Sequence, residues 1–347
     1  MARPWGWPCD GLRLKMSIGN PDGMVLYLHN QIIQGLRDRK RAALARAVTL
    51  VENGSEHAGH ILEEAYKLRG RGKVIGITGS PGVGKSTLVD SLIGAIRERG
   101  HSVGVIAVDP SSPFTGGAIL GDRVRVRSRT TDDEVFFRSL ASRGYLGGLS
   151  RHTGDIITLF DAFGFDYILV ETVGAGQSEV DIMRYAHSVL VVMAPGLGDD
   201  IQAIKAGILE IGDVFCVNKA DHPDADRAVA VLEAMLGLNR EWQWKPPVLK
   251  TVASQGKGVV ELLDKIDEHS EFLKQNGLLE ERIARSYIAA LEDNIRRDTV
   301  DYILAKARAD GSLDGALKQL SEGKTYPAAV AKDLIRQHLC LEAKIDE

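Results

Sequence analysis

The 347-residue chain has only three cysteines, Cys9, Cys216 and Cys340, far apart and in no C-x-x-C pair. That argues against a disulfide framework and a thiolate zinc site, and fits a protein of a reducing cytoplasm. No apolar run approaches the roughly 20 residues that cross a bilayer, and the N-terminus lacks the apolar core of a signal peptide. Basic charge is not in excess either: the formal net charge is −4, so no field draws in nucleic acid. The H-R-D and D-F-G elements of a protein kinase are missing. What is present is an ordinary globular balance, 44% hydrophobic and 26% charged, on a chain long enough for a sizeable core.

Periodicity divides the chain into four stretches. Residues 1–23, with Pro4, Trp5, Gly6, Trp7 and Pro8 and no regular period, read as a disordered extension or as translation from an upstream start, since Met16 and Met24 can also initiate. Residues 24–70 are helical in pattern, with Leu26, Ile32, Ile33, Leu36, Leu44, Ala47, Val48 and Val51 at helix spacing. A further helix there, Ile61–Leu68, stops at Gly70 and Gly72. Over 71–270, apolar runs alternate with helices: Val74–Thr78, Val103–Val108, Tyr167–Val170, Val189–Met193, Val214–Val217 and Val248–Val252. Most are continuous, as strands covered on both faces by crossover helices must be. The expected fold is α/β, a P-loop domain on a mostly parallel, doubly wound sheet with helical N- and C-terminal extensions. Residues 271–347 return to helix, with Leu279–Ile295, Thr299–Ala307 and a last helix near Ala328–Leu339. This tail is expected to pack on the core or on another subunit.

Directly behind the first run comes Gly79-Ser80-Pro81-Gly82-Val83-Gly84-Lys85-Ser86-Thr87, G-x-x-x-x-G-K-[ST] between a strand and a helix. The glycines let backbone N–H groups wrap a phosphate, Lys85 reaches the β- and γ-phosphates, and the Ser86 hydroxyl holds Mg²⁺. Asn218-Lys219-Ala220-Asp221 follows the fifth run. One carboxylate there, Asp221, accepts from both guanine N1–H and the exocyclic amine, a donor pair adenine lacks. Ala253-Ser254-Gln255, after the last run, is placed to offer N–H groups to the guanine carbonyl. Two acids close strands between these motifs: Asp109 after Val103–Val108, and Glu171, which opens Glu-Thr-Val-Gly. Each suits Mg²⁺, and Gly174 lets the backbone approach the γ-phosphate. Glu171, longer than the usual Asp, is expected to act through water.

Two longer segments carry a resemblance. Asp109-Pro110-Ser111-Ser112-Pro113-Phe114-Thr115-Gly116-Gly117-Ala118-Ile119-Leu120-Gly121-Asp122-Arg123 resembles the first switch loop of the MeaB/ArgK family, and Glu171–Glu179 its second. These are G-protein chaperones of adenosylcobalamin-dependent acyl-CoA mutases. The resemblance, from about Val25 to the C-terminal helices, implies a dimeric GTPase of the signal-recognition/MinD-like class. It implies GTP and GDP as ligands, with Mg²⁺ near Ser86, Asp109, Asp122 and Glu171. It also implies catalysis by Lys85, Asp122 and Glu171, slow alone and stimulated by a partner. Pro195–Lys205 is similar to the family's further switch loop, with Gln202 and Lys205 as contacts to a methylmalonyl-CoA-type mutase. Its adenosyltransferase is a second implied partner. From the residues alone, that loop reads as a strand-to-helix turn with Asp199 and Asp200 at a helix start. The loop before Gly256-Lys257-Gly258 is a residue shorter than the family pattern, which puts the Ser254 contact in question.

Two other readings stay open. A nickel-delivery GTPase on the same fold would need a Cys/His cluster, and His57 with His60 is the nearest candidate, without a cysteine beside it. A nucleotide-dependent scaffold without turnover would carry the same motifs.

Overall fold

In a computed structural model of the chain, the described residues are 21–55, 57–70, 72–109, 132–141, 152–172, 181–196, 206–238 and 242–339. Three helices come first, α1 (Pro21–Arg37), α2 (Arg41–Glu52) and α3 (Ala58–Lys67). The first begins just ahead of the expected Met24 boundary, because the fixed φ of Pro21 suits a first helical turn. The nucleotide-binding core then runs β1 (Lys73–Thr78), α4 (Lys85–Glu98), β2 (Val103–Asp109), β3 (Val135–Ala141), α5 (Thr153–Phe163), β4 (Tyr167–Thr172) and β5 (Ser188–Met193). It continues through α6 (Ala206–Ile211), β6 (Val214–Val217), α7 (Ala225–Leu236), β7 (Val248–Lys250) and α8 (Val259–Gln275). The tail holds α9 (Leu278–Ala309), α10 (Ser312–Ser321) and α11 (Pro327–Leu339).

The strands form one seven-stranded sheet in the order β3-β2-β4-β1-β5-β6-β7, and every pairing in it is parallel. The pleat sends alternate residues to opposite faces. Ile75, Ile77 and Leu169 join Leu88, Leu92, Leu262 and Leu263 of α4 and α8 in one core. Val74, Ile168 and Val170 join Phe160 of α5 in the other, and so do Leu36, Leu44, Val48 and Ile61. The N-terminal helices therefore complete the cover of one sheet face rather than standing apart.

Strand β3 has no counterpart among the expected runs. Arg138 and Ser139 interrupt its apolar pattern, which only an edge strand tolerates, and β3 pairs with β2 alone. Arg138 ion-pairs with Glu52 of α2. The two expected tail helices are instead one continuous α9, since nothing between Ile295 and Thr299 breaks it. Ala289 and Ala290 of α9 enter the core beside α5, while Ile303 and Ala307 make a small separate cluster with Leu334 of α11.

A buried polar network ties α9 to the sheet. Asp213, just before β6, accepts two hydrogen bonds from Arg282, at 2.6 and 2.8 Å, and one from the Val189 N–H at 2.8 Å. His269 Nε2 lies 3.3 Å from Asp213 Oδ1, and His269 Nδ1 is 2.7 Å from the Ser188 hydroxyl. A Ser–His–Asp chain invites a hydrolytic reading, but Ser188 and His269 are each 1% exposed and no substrate reaches them. The network is structural. Burial, against the pull of Asp213, lowers the His269 pKa to about 4, and burial with the Arg282 charge does the same to His187. Unfolded, both titrate near 6.5. Between pH 6.5 and 4 the unfolded chain binds protons that the native one refuses, so stability is full above that window and falls as pH drops through it. Urea denaturation across pH 8 to 4 is expected to show a midpoint flat above pH 7 and declining below 6.5. A midpoint unchanged down to pH 4 would contradict the neutral, buried imidazoles.

Candidate nucleotide site

The sheet order decides which loops meet. The P-loop, Asn218 and Ala253 follow the carboxyl ends of parallel strands and Glu171 lies near that end of β4, and β4, β1, β5, β6 and β7 are adjacent in that order. Four motifs distant in sequence thus share one edge, where a doubly wound sheet binds nucleotide.

The loop Gly79–Gly84 leaves β1 and turns into α4. At Gly79, with φ +139°, a Cβ would lie 2.0 Å from the Val192 carbonyl oxygen, so only glycine lets the loop pass β5. Gly84 caps α4 in the left-handed region, without a side-chain cap, and the first helical turn carries no acid. Unsatisfied N–H groups and the helix dipole are left for an anion. Lys85 is buried at 6% exposure, and its Nζ donates to the carbonyls of Gly79 (2.6 Å) and Ser80 (3.0 Å), which holds the ammonium under the loop. Val83 is a core residue whose carbonyl accepts from the Asn218 amide.

Ser86 Oγ donates to Glu171 Oε1 at 2.7 Å. Glu171 stands opposite Ile77 near the end of β4 and is buried at 7% exposure. A hydroxyl and a buried carboxylate at a helix N-terminus form a hard oxygen donor set, which fits Mg²⁺. Among the described residues, no group of three His, Cys, Asp or Glu has the placement to hold a metal ion by itself. His57 and His60 pack with His29 (ring centroids 4.7 and 5.7 Å from it) but form no such group. Asp109 ends β2 in backbone, and its side chain lies outside the described residues, as do Asp122, Gly174, Gln202 and Lys205.

Beyond the P-loop is a cavity of about 420 Å³ lined by Gly84, Thr87, Asn218, Lys219, Asp221, Ala253 and Ser254. Asn218 is a clamp as much as a wall. Its amide donates to the Val83 carbonyl at 2.9 Å, while its Oδ1 accepts from the Thr251 hydroxyl (3.1 Å) and the Ala253 N–H (3.0 Å). A Cβ on Gly84 would lie 2.5 Å from the Asn218 amide nitrogen, so the P-loop and this clamp fix each other. Lys219, at φ +56°, sends Nζ to the Gly82 carbonyl at 2.7 Å, which lays its stem along the cavity. Asp221 is exposed on the cavity wall, and among the described residues its carboxylate has no hydrogen bond or ion pair, so its lone pairs are open to solvent or a ligand. Ala253 and Ser254 line the cavity, and the Ala253 N–H, expected to serve the guanine carbonyl, is given instead to Asn218 Oδ1. Gln255 does not line it: the residue ends the short 3₁₀ turn Ala253–Gln255 and is exposed outside the lining. His222 is also in the lining, and the sequence signals it only by its place after Asp221. Cys216, buried beneath with its thiol pKa pushed up to about 12 by burial, is inert.

The family described as methylmalonyl-CoA mutase-associated GTPase MeaB matches residues 44–308. A putative GTPase of Pyrococcus abyssi is 45% identical over 315 residues, covering 89% of this chain and 96% of that protein. The GTPase ArgK of Escherichia coli is 35% identical over 289 residues, covering 80% and 87%. Among solved structures, one described as a LAO/AO transport system kinase superposes with a TM-score of 0.66 at 25% identity, covering 92% of this chain and 99% of that one.

Proposed function

Since the chain belongs to the family of methylmalonyl-CoA mutase-associated GTPases, we propose that it is a Mg²⁺-dependent, GTP-hydrolysing chaperone that gates adenosylcobalamin loading and protects or reactivates a B12-dependent acyl-CoA mutase. The observation that carries its hydrolytic part is the 2.7 Å contact of Ser86 with Glu171, one residue from the buried Lys85. Bound Mg²⁺ would neutralise charge developing on the transferred phosphoryl group. Ser86 and Asp109 would hold it, and Glu171, bonded to Ser86, would act with Asp122 through its waters and orient the attacking one. Lys85 and the glycine N–H groups cradle the phosphates, while Asp221 selects guanine.

No glutamine directly follows Gly174, so hydrolysis is slow alone. The switch segments Asp109–Arg123, Glu171–Glu179 and Pro195–Lys205 carry nucleotide state to the mutase, with Gln202 and Lys205 as its contacts. The adenosyltransferase is a further partner, and the setting is cytoplasmic. The exposed Ile288, Leu291 and Ile295 of α9 offer an apolar face for a homodimer. Glu171→Gln keeps the shape and removes the charge. It is expected to slow GTP hydrolysis by about 10²-fold and to raise the Mg²⁺ concentration required, with GTP still bound. A Mg²⁺ titration of the variant showing wild-type rate and requirement would overturn the role of this pair.

A further inference from the structure

We infer that a second cavity, at the amino edge of the sheet, is a binding site for a small organic anion with an aromatic or apolar body. It lies where β1 begins and β5 is entered, opposite the nucleotide edge, among the end of α3, α5 and the start of α9. Its volume of about 600 Å³ exceeds that of the guanine cavity and lies within the ~300–1,000 Å³ of small-molecule sites.

The charge of the wall selects the ligand. Lys274, on the last turn of α8, has no ion pair among the described residues. Arg69 makes no ion pair with a carboxylate there, though its charge acts on Asp161; its guanidinium donates to the Tyr66 carbonyl and the Tyr287 hydroxyl and stacks on both rings, 5.4 and 4.8 Å from their centroids. The one acid of the lining, Asp161, spends its oxygens on the N–H groups of Gly70 (3.1 Å) and Gly72 (3.0 Å). Of the three cations in the lining, Lys73 is paired with Asp267, which leaves Arg69 and Lys274 beside one internally bonded carboxylate.

Two neutral donors look inward from the same wall. Ser270 is 6% exposed, lines the cavity, and its hydroxyl has no hydrogen-bond partner among the described residues. His187 Nδ1 accepts from the Val74 N–H at 3.2 Å, which leaves Nε2–H as the neutral ring's donor. Cations, a hydroxyl and an imidazole N–H suit a carboxylate, sulfonate or phosphate monoester, and the remaining wall of Ile157, Leu279, Ile283 and tyrosine rings suits its body.

The test uses the full chain and two dyes with one aromatic body: 1-anilinonaphthalene-8-sulfonate, and N-phenyl-1-naphthylamine, which lacks the sulfonate. The sulfonate dye is expected to bind once per chain, saturably, and at least about tenfold more tightly than the neutral one. Lys274→Glu, on an exposed helix end, is expected to weaken it about tenfold. Ser286→Trp, whose wild-type hydroxyl bonds only the Ile283 carbonyl of its own helix, should fill the cavity and abolish binding. Both variants should bind GTP normally, and if Ser286→Trp fails to fold, Lys274→Glu decides alone. Absent or non-saturable binding, equal affinity for the two dyes, or binding that survives Lys274→Glu overturns the proposal. Surviving binding would place the dye on the exposed face of α9.

Discussion

Asp221→Asn is expected to invert base preference, from GTP toward XTP. Guanine presents N1–H and an exocyclic amine, both donors, to a carboxylate that is free of other partners among the described residues. An asparagine amide can accept only one of them and turns its own N–H₂ toward the other. Xanthine replaces the amine with a carbonyl, and the amide then matches both groups. Sites that read a hydrogen-bond pattern discriminate by up to ~10⁴–10⁵; for one exposed carboxylate, a GTP affinity loss of at least about 10²-fold is the expected scale. Competition of GTP and XTP against a fluorescent guanine nucleotide measures both changes. Unchanged GTP affinity would mean that the 420 Å³ cavity is not the base site.

Lys85→Ala is expected to lower GTP turnover by about 10²–10³-fold or more, the range found for a single preorganised donor aimed at developing charge. The ammonium is already under the loop, held by the Gly79 and Ser80 carbonyls, so the site pays little to organise it when phosphate arrives. Its removal should also weaken GTP more than guanosine, since only the phosphates meet it. Single-turnover hydrolysis with saturating nucleotide separates the two effects. A variant with wild-type turnover would move the catalytic charge elsewhere.

The parts of this site that sequence reveals are those whose chemistry is local. G-x-x-x-x-G-K-S lies in one loop, and its glycine spacing is a backbone requirement that shows in the residues themselves. The continuous apolar runs of β1, β2, β4, β5 and β6 announce a sheet covered on both faces. Edge strand β3 hid behind Arg138, whose partner Glu52 is distant in sequence. Asn218 could be read as a motif letter, but not as the clamp between Val83 and Ala253, since those contacts exist only once β1, β6 and β7 lie in their observed order. The single helix α9 was concealed because two amphipathic stretches change face partway, the first against the core and the second against α11. Gln255 reads as part of the guanine loop by position, yet the short turn that presents Ala253 and Ser254 carries it out of the cavity.

The most direct test is phosphate release from GTP, measured in Mg²⁺ with and without whichever adenosylcobalamin-dependent mutase a pull-down from the native cell yields. The expected result is slow hydrolysis of GTP and not ATP by the chain alone, abolished by chelation of Mg²⁺ and accelerated severalfold or more by the mutase. Hydrolysis that the mutase leaves unchanged, or a preference for ATP, would contradict it.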